Sequence, residues 1–128
     1  MVIGIGIDII EISRIKAAIE REAFVRRVFT DKETAYCRSR GIQQTASFAV
    51  RFAAKEAVAK AFGTGFAGGN IKDIEVVVEA GGKPVIALHG SFAGLADQLG
   101  VSQIHISLTH AREYAAAQAV LVHQPAGL

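Results

Sequence analysis

Arg51-Phe52-Ala53-Ala54-Lys55-Glu56-Ala57-Val58-Ala59-Lys60-Ala61-Phe62, closed by Gly63-Thr64-Gly65, is a run of helix formers with charges set among alanine and phenylalanine. At about 100° per residue, Phe48, Phe52, Ala59 and Phe62 gather on one side of such a helix. Glu56 and Lys60 share a flank with Ala49 and Ala53, whose small side chains leave room above it. Gly63 suits the left-handed position that ends a helix. The middle of the chain is therefore a core helix. Its Glu56 and Lys60, one turn apart, are either a helix-stabilising pair of about 0.2–0.5 kcal/mol or part of a site.

Working outward, residues 2–10 read as a buried strand. Alternation puts Ile3, Ile5, Ile7 and Ile9 on one face and Gly4, Gly6 and Asp8 on the other. Glycines inside a strand mark the close approach of a ligand or of another backbone. An acid in so apolar a strand needs a partner to offset its desolvation, which makes Asp8 a candidate functional residue. Residues 12–22 follow as one amphipathic helix with Ile12, Ile15 and Ile19 at core spacing. Arg14, Lys16, Arg21, Arg26 and Arg27 are then either a solvated face or a surface for an acidic partner.

Phe24, Val28 and Phe29 anchor the chain before Thr30-Asp31-Lys32-Glu33, a capping box opening a second helix that Gly41 stops. Residues 41–45 read as a polar loop, with Thr45 or Ser47 capping the central helix. After it, residues 65–70 are a flexible connection. Residues 71–79 and 84–88 read as strands joined by a two-residue turn at Gly81-Gly82, with Pro84 opening the second. A short helix over residues 91–99 ends at Gly100, and residues 103–109 and 114–123 form a last strand pair. Residues 124–128 read as a frayed tail. The pattern is one α+β domain over residues 1–128, with helices packed on a mainly antiparallel sheet.

Composition narrows the classes. The chain has 128 residues, a net charge of +2, and a single cysteine, Cys37. One cysteine forms no internal disulfide and no multi-cysteine zinc cluster, so a cytoplasmic location is the expectation. No apolar run approaches the ~20 residues of a membrane span. Nucleic-acid binding is not expected, since the basic residues lack interleaved aromatics. The P-loop, dinucleotide and nucleophile-elbow signatures are absent.

Asp8 and Glu56, brought together in a cleft, would repel unless a cation lay between them. Oxygen-only ligands favour Mg²⁺ or Mn²⁺, completed by water and substrate phosphates, over zinc. Lys60 is then placed to meet a phosphate oxygen, with Arg51, Lys55 and His110 as further phosphate contacts. Metal-assisted phosphoryl chemistry is the reading these residues suggest.

Gly4-Ile5-Gly6-Ile7-Asp8-Ile9-Ile10-Glu11-Ile12, Arg51-Phe52-Ala53-Ala54-Lys55-Glu56-Ala57, Lys60-Ala61-Phe62-Gly63-Thr64-Gly65, Gly82-Lys83-Pro84 and His105-Ile106-Ser107-Leu108-Thr109-His110 occur in that order. Together they closely resemble the holo-acyl-carrier-protein synthases, the small bacterial type of 4′-phosphopantetheinyl transferase. The resemblance implies transfer of phosphopantetheine from coenzyme A to a serine of apo-acyl carrier protein, releasing adenosine 3′,5′-bisphosphate, in support of fatty acid biosynthesis. It implies Asp8 and Glu56 as carboxylates for Mg²⁺ and Lys60 as the catalytic lysine. Arg51, Gly63, Pro84 and His110 match positions associated with coenzyme A. It also implies a homotrimer with sites between protomers, and docking of the acidic carrier protein on Arg14 and Arg21, extending to Arg26 and Arg27. Glu56 or a metal-bound water takes the serine proton. Two departures touch the coenzyme A contacts: Val50 stands where a basic residue often precedes Arg51, and Ala111 follows His110. The rival classes are a binding module for an acidic helical protein and a metal-dependent phosphohydrolase.

Overall fold

The fold follows from how closely one strand can lie on one helix. In a computed structural model that describes residues 1–125, β1 (Val2–Glu11) crosses α4 (Gln44–Ala61) with almost no side chain between them. A Cβ on Gly4 would stand 2.0 Å from the Ala61 carbonyl oxygen, and one on Gly6 would stand 2.0 Å from that of Ala57. Both glycines thus mark the approach of another backbone. Ala53, Ala57 and Ala61 keep the helix side of this contact small, and all are buried.

The remaining elements are α1 (Ile12–Ala18), α2 (Glu22–Val28), α3 (Asp31–Arg38), β2 (Ile74–Val78), β3 (Pro84–Leu88), α5 (Gly90–Leu99), β4 (Gln103–His110) and β5 (Tyr114–Val122). One sheet has the order β1-β5-β4 and the other pairs β2 with β3, every pair antiparallel. The inward face of the central strand β5 is Ala115, Ala117, Ala119 and Leu121, all buried, so the sheet lies flat on α4. Two apolar clusters result. One joins α4 to the sheets and Phe92; the other gathers Ile15, Val25, Val28, Phe29 and Phe48 under the N-terminal helices. The expected mixture of helices and mainly antiparallel sheet is the one observed.

Several boundaries differ from the sequence reading. Residues 12–22 do not form one helix: α1 ends at Ala18, and Arg21 is extended (φ −92°, ψ 113°) before α2 begins. On a continuous helix Val25 and Val28 would point well away from Ile15. The bend brings all three into one cluster. The β1 strand is not buried on both faces, because Ile5, Ile7 and Ile9 are 67%, 69% and 66% exposed. The Thr30 capping box is present, with Glu33 N 3.2 Å from Thr30 Oγ1 and Thr30 N 2.8 Å from Glu33 Oε1. Gly41 lies past the end of α3 and opens a 3₁₀ turn, Gly41–Gln43, that runs straight into α4; Thr45 and Ser47 are inside that helix and do not cap it. A further 3₁₀ turn, Gly65–Gly68, occupies the connection after α4.

Residues 79–83 link β2 to β3, and the turn between Glu79 and Lys83 has three residues, 80–82, where the sequence reading has two. Glu79 N donates to Lys83 O at 2.9 Å, Gly82 N donates to Glu79 O at 2.8 Å, and only Gly82 has positive φ, 89°. Of the expected tail, Gln124 N donates to Ser102 Oγ at 2.8 Å, and residues 126–128 lie outside the described residues. Among the described residues no helix is long and apolar enough to cross a membrane.

Candidate active site

Because Gly6 seats β1 on α4 at Ala57, the next inward residue of the strand, Asp8, lies beside Glu56. Both carboxylates line one cleft of about 670 Å³, together with Ile15, Phe24 and Phe52 of its apolar wall. Lys60, one turn further along α4, sends Nζ to Asp8 Oδ1 at 2.9 Å and to the Ile7 carbonyl at 3.2 Å. The Asp8 side chain is 14% exposed and that of Lys60 51%. Burial pushes the Glu56 carboxyl above its ordinary range; repulsion from Asp8 adds to this, and Lys60 opposes it. The hydrogen bond to Asp8 is the main cause holding the Lys60 ammonium above its ordinary value, with burial working against it.

Arg14 and Arg21 stand on the rim of this cleft, which places two arginines of the basic face next to the carboxylates. Arg26 and Arg27, exposed in the last turn of α2, are not among the residues that line it. Arg51 and His110 meet in a second pocket of about 360 Å³ that shares no lining residue with the first. They are joined there by Tyr36, Arg40 and Gln43, which the sequence reading did not single out. The four-residue spacing of Tyr36 and Arg40 was the available signal, since it puts both on one helical flank. Gly63 closes α4 with φ 82°, and Pro84 opens β3; neither lines either pocket.

Lys55 is not a phosphate contact. It is fully buried, with Nζ 2.8 Å from Glu33 Oε1 and 2.7 Å from the Ile74 carbonyl. Glu33 Oε2 accepts from Val76 N at 2.8 Å. The pair thus caps the edge of β2 and fixes it to α3 and α4. Burial pushes the Lys55 ammonium down, against the attraction of Glu33.

Asp8 and Glu56 are hard oxygen ligands, and no group of three or more histidine, cysteine, aspartate or glutamate side chains that could hold a metal occurs among the described residues. Two carboxylates in an open cleft fit Mg²⁺, which keeps waters and takes substrate phosphate oxygens, and do not fit a structural zinc site.

Residues 4–119 match the model of a family described as the 4′-phosphopantetheinyl transferase superfamily. The chain is 50% identical over 117 residues to a holo-[acyl-carrier-protein] synthase of Moorella thermoacetica, covering 91% of each. Its fold superposes with TM-score 0.87 on the crystal structure of holo-[acyl-carrier-protein] synthase from Neisseria meningitidis, at 31% identity, covering 95% of this chain and 99% of that one. A holo-(acyl-carrier-protein) synthase from Bacillus anthracis in complex with CoA (3′,5′-ADP) gives TM-score 0.80 at 36% identity, over 97% and 99% of the two chains.

Proposed function

The chain belongs to the 4′-phosphopantetheinyl transferase superfamily, among the holo-[acyl-carrier-protein] synthases, and we propose that it transfers 4′-phosphopantetheine from coenzyme A to a serine of apo-acyl carrier protein in a Mg²⁺-dependent step. The observation that carries this reading is the meeting of Asp8, Glu56 and Lys60 in a cleft rimmed by Arg14 and Arg21. Asp8 and Glu56 would hold Mg²⁺, or Mn²⁺ with the same donors. When bound, the ion supplies charge neutralisation for the coenzyme A pyrophosphate. Lys60 lies one turn from Glu56 and neutralises charge on the departing nucleotide. The carrier serine attacks the phosphorus that bears the pantetheine arm, roughly in line with adenosine 3′,5′-bisphosphate as leaving group. Glu56 is the carboxylate of this chain placed in the cleft where it could take the serine proton.

Arg14 and Arg21 would steer the acidic carrier protein so that its serine enters beside Glu56, with Arg26 and Arg27 extending that surface outward. Arg51 and His110 would hold the nucleotide end of coenzyme A, with Gly63 and Pro84 as further contacts. They lie in a pocket separate from the carboxylates of the same chain. That separation, together with the exposed Ile5, Ile7 and Ile9 of β1, supports a homotrimer in which one protomer's Arg51 and His110 serve the carboxylates of its neighbour. The cellular setting of this reading is cytoplasmic fatty acid biosynthesis.

The test is to incubate the purified protein with Mg²⁺, coenzyme A and an apo-acyl carrier protein, and to follow the carrier by mass spectrometry. A gain of one phosphopantetheine with stoichiometric release of adenosine 3′,5′-bisphosphate is expected. Phosphate release with an unchanged carrier would replace the transferase reading by a hydrolase.

A further inference from the structure

The pocket of Arg51 and His110 is lined without a single carboxylate. Arg51 is only 6% exposed, yet no acid pairs with it among the described residues. Its Nη1 donates to Ser47 Oγ at 3.0 Å and to the Ser47 carbonyl at 3.2 Å. Its face is covered by the Tyr36 ring, whose centroid lies 4.4 Å from Cζ. A second guanidinium, that of Arg40, stands 5.5 Å from the same ring. A buried cation without a counter-ion is costly unless an anion completes it. With one face stacked and Nη1 committed to Ser47, the free edge of Arg51 is left to donate to such an anion, in the manner guanidinium groups bind phosphate.

We infer that Tyr36 is a positioning and specificity residue: its ring holds the Arg51 guanidinium, with Arg40 beside it, as a seat for the phosphate monoester at the nucleotide end of the donor. The inference rests on the coenzyme A reading above. The aromatic face fixes the plane of Arg51, and so the direction of its free N–H groups, while contributing no acceptor of its own. Neither Tyr36 nor Arg40 lines the cleft of Asp8 and Glu56. Their effect should therefore fall on donor binding and on the 3′-phosphate in particular, not on the transfer step.

Steady-state transfer with coenzyme A and with 3′-dephospho-coenzyme A tests this on wild type, Tyr36→Leu, Tyr36→Phe and Arg40→Gln. In Tyr36→Leu, KM for coenzyme A should rise about tenfold with kcat near wild type, the loss of roughly one stacked cation. KM for the dephospho donor should stay within about twofold, since that donor lacks the group the seat holds. Tyr36→Phe keeps the ring and should restore wild-type behaviour. Arg40→Gln should show a smaller rise confined to coenzyme A. An equal rise with both donors, no rise, or failure of Tyr36→Phe to rescue overturns the assignment. If Tyr36→Leu does not fold, Arg40→Gln decides: unchanged selectivity between the donors overturns it. If wild type transfers nothing from coenzyme A, the fault lies with the proposed function. Calorimetry then decides the seat: tighter binding of adenosine 3′,5′-bisphosphate than of adenosine 5′-monophosphate, lost in Arg40→Gln, supports it, and equal binding overturns it.

Discussion

Lys55 and Glu56 are neighbours on one helix with opposite surroundings. Glu56 opens into a cleft that holds its charge at a cost, while Lys55 is sealed against Glu33 beneath the Phe29 ring. Their substitutions should separate cleanly. Glu56→Ala and Asp8→Ala should lower Mg²⁺-dependent transfer by about a hundredfold or more, the scale of losing an electrostatic contact to the reacting charge. Their circular dichroism and melting should remain close to wild type, and full activity in either folded variant would remove the carboxylates from the mechanism. Lys55→Met strands the Glu33 carboxylate in the core, and chemical denaturation should show a loss of about 3–5 kcal/mol. Glu75 gives a pH signature. Burial pushes its carboxyl up, but the bonds from His89 and Thr30 outweigh this and leave it below its ordinary value. A carboxyl lowered on folding adds stability above the ordinary carboxylate range and loses it as pH falls through the lowered value. Glu75→Gln should therefore melt below wild type at neutral pH, and the two melting curves should converge in acid.

The contact of β1 with α4 is where the fold makes the site. Gly6→Ala would drive a Cβ into the Ala57 carbonyl, so strand and helix must separate. Overpacking of this kind costs about 1–3 kcal/mol. The separation also moves Asp8 away from Glu56, so the affinity for Mn²⁺, read by calorimetry, should fall along with the denaturation midpoint. Wild-type affinity with unchanged stability would mean that the glycine does not set the spacing. Much of this was legible in the residues. The glycines named the close approach, and the Thr30-x-x-Glu33 spacing named a helix start. The small flank of α4 did not name the open side: Ala49 and Ala53 are fully buried, and Glu56 opens beside Phe52 instead. Other features could not be read locally. Alternation groups Ile5, Ile7 and Ile9 on one face of β1 but cannot say that the face looks outward, because that depends on which side α4 occupies. The break between α1 and α2 is set by a shared core below both helices. The burial of Lys55 depends on Glu33, which comes from a separate helix, and the grouping of Tyr36 and Arg40 with Arg51 and His110 joins α3, α4 and β4.

At the scale of the molecule, one chain holds two pockets that share no lining residue, and an apolar strand face that stays exposed among the described residues. A closed ring of identical subunits would resolve both if its rotation carried the Arg51 and His110 pocket of one protomer to the carboxylates of the next. Subunit mixing tests this arrangement directly. Asp8→Ala should disable the carboxylate pocket and His110→Ala the other, each leaving no detectable transfer by itself. In a ring, a protomer with intact Asp8 can be served by a neighbour with intact His110. Dissociated and reassociated at equal ratio, the two inactive proteins should recover about a quarter of wild-type activity, as expected when each site draws one half from each neighbour at random. Each variant alone should stay inactive through the same treatment. Ile7→Arg, placed on the exposed face, should yield monomers by sedimentation and abolish the recovery. If mixing restores nothing while both variants still sediment as trimers, the two half-sites belong to one chain, and the neighbour contributes no residue to the chemistry.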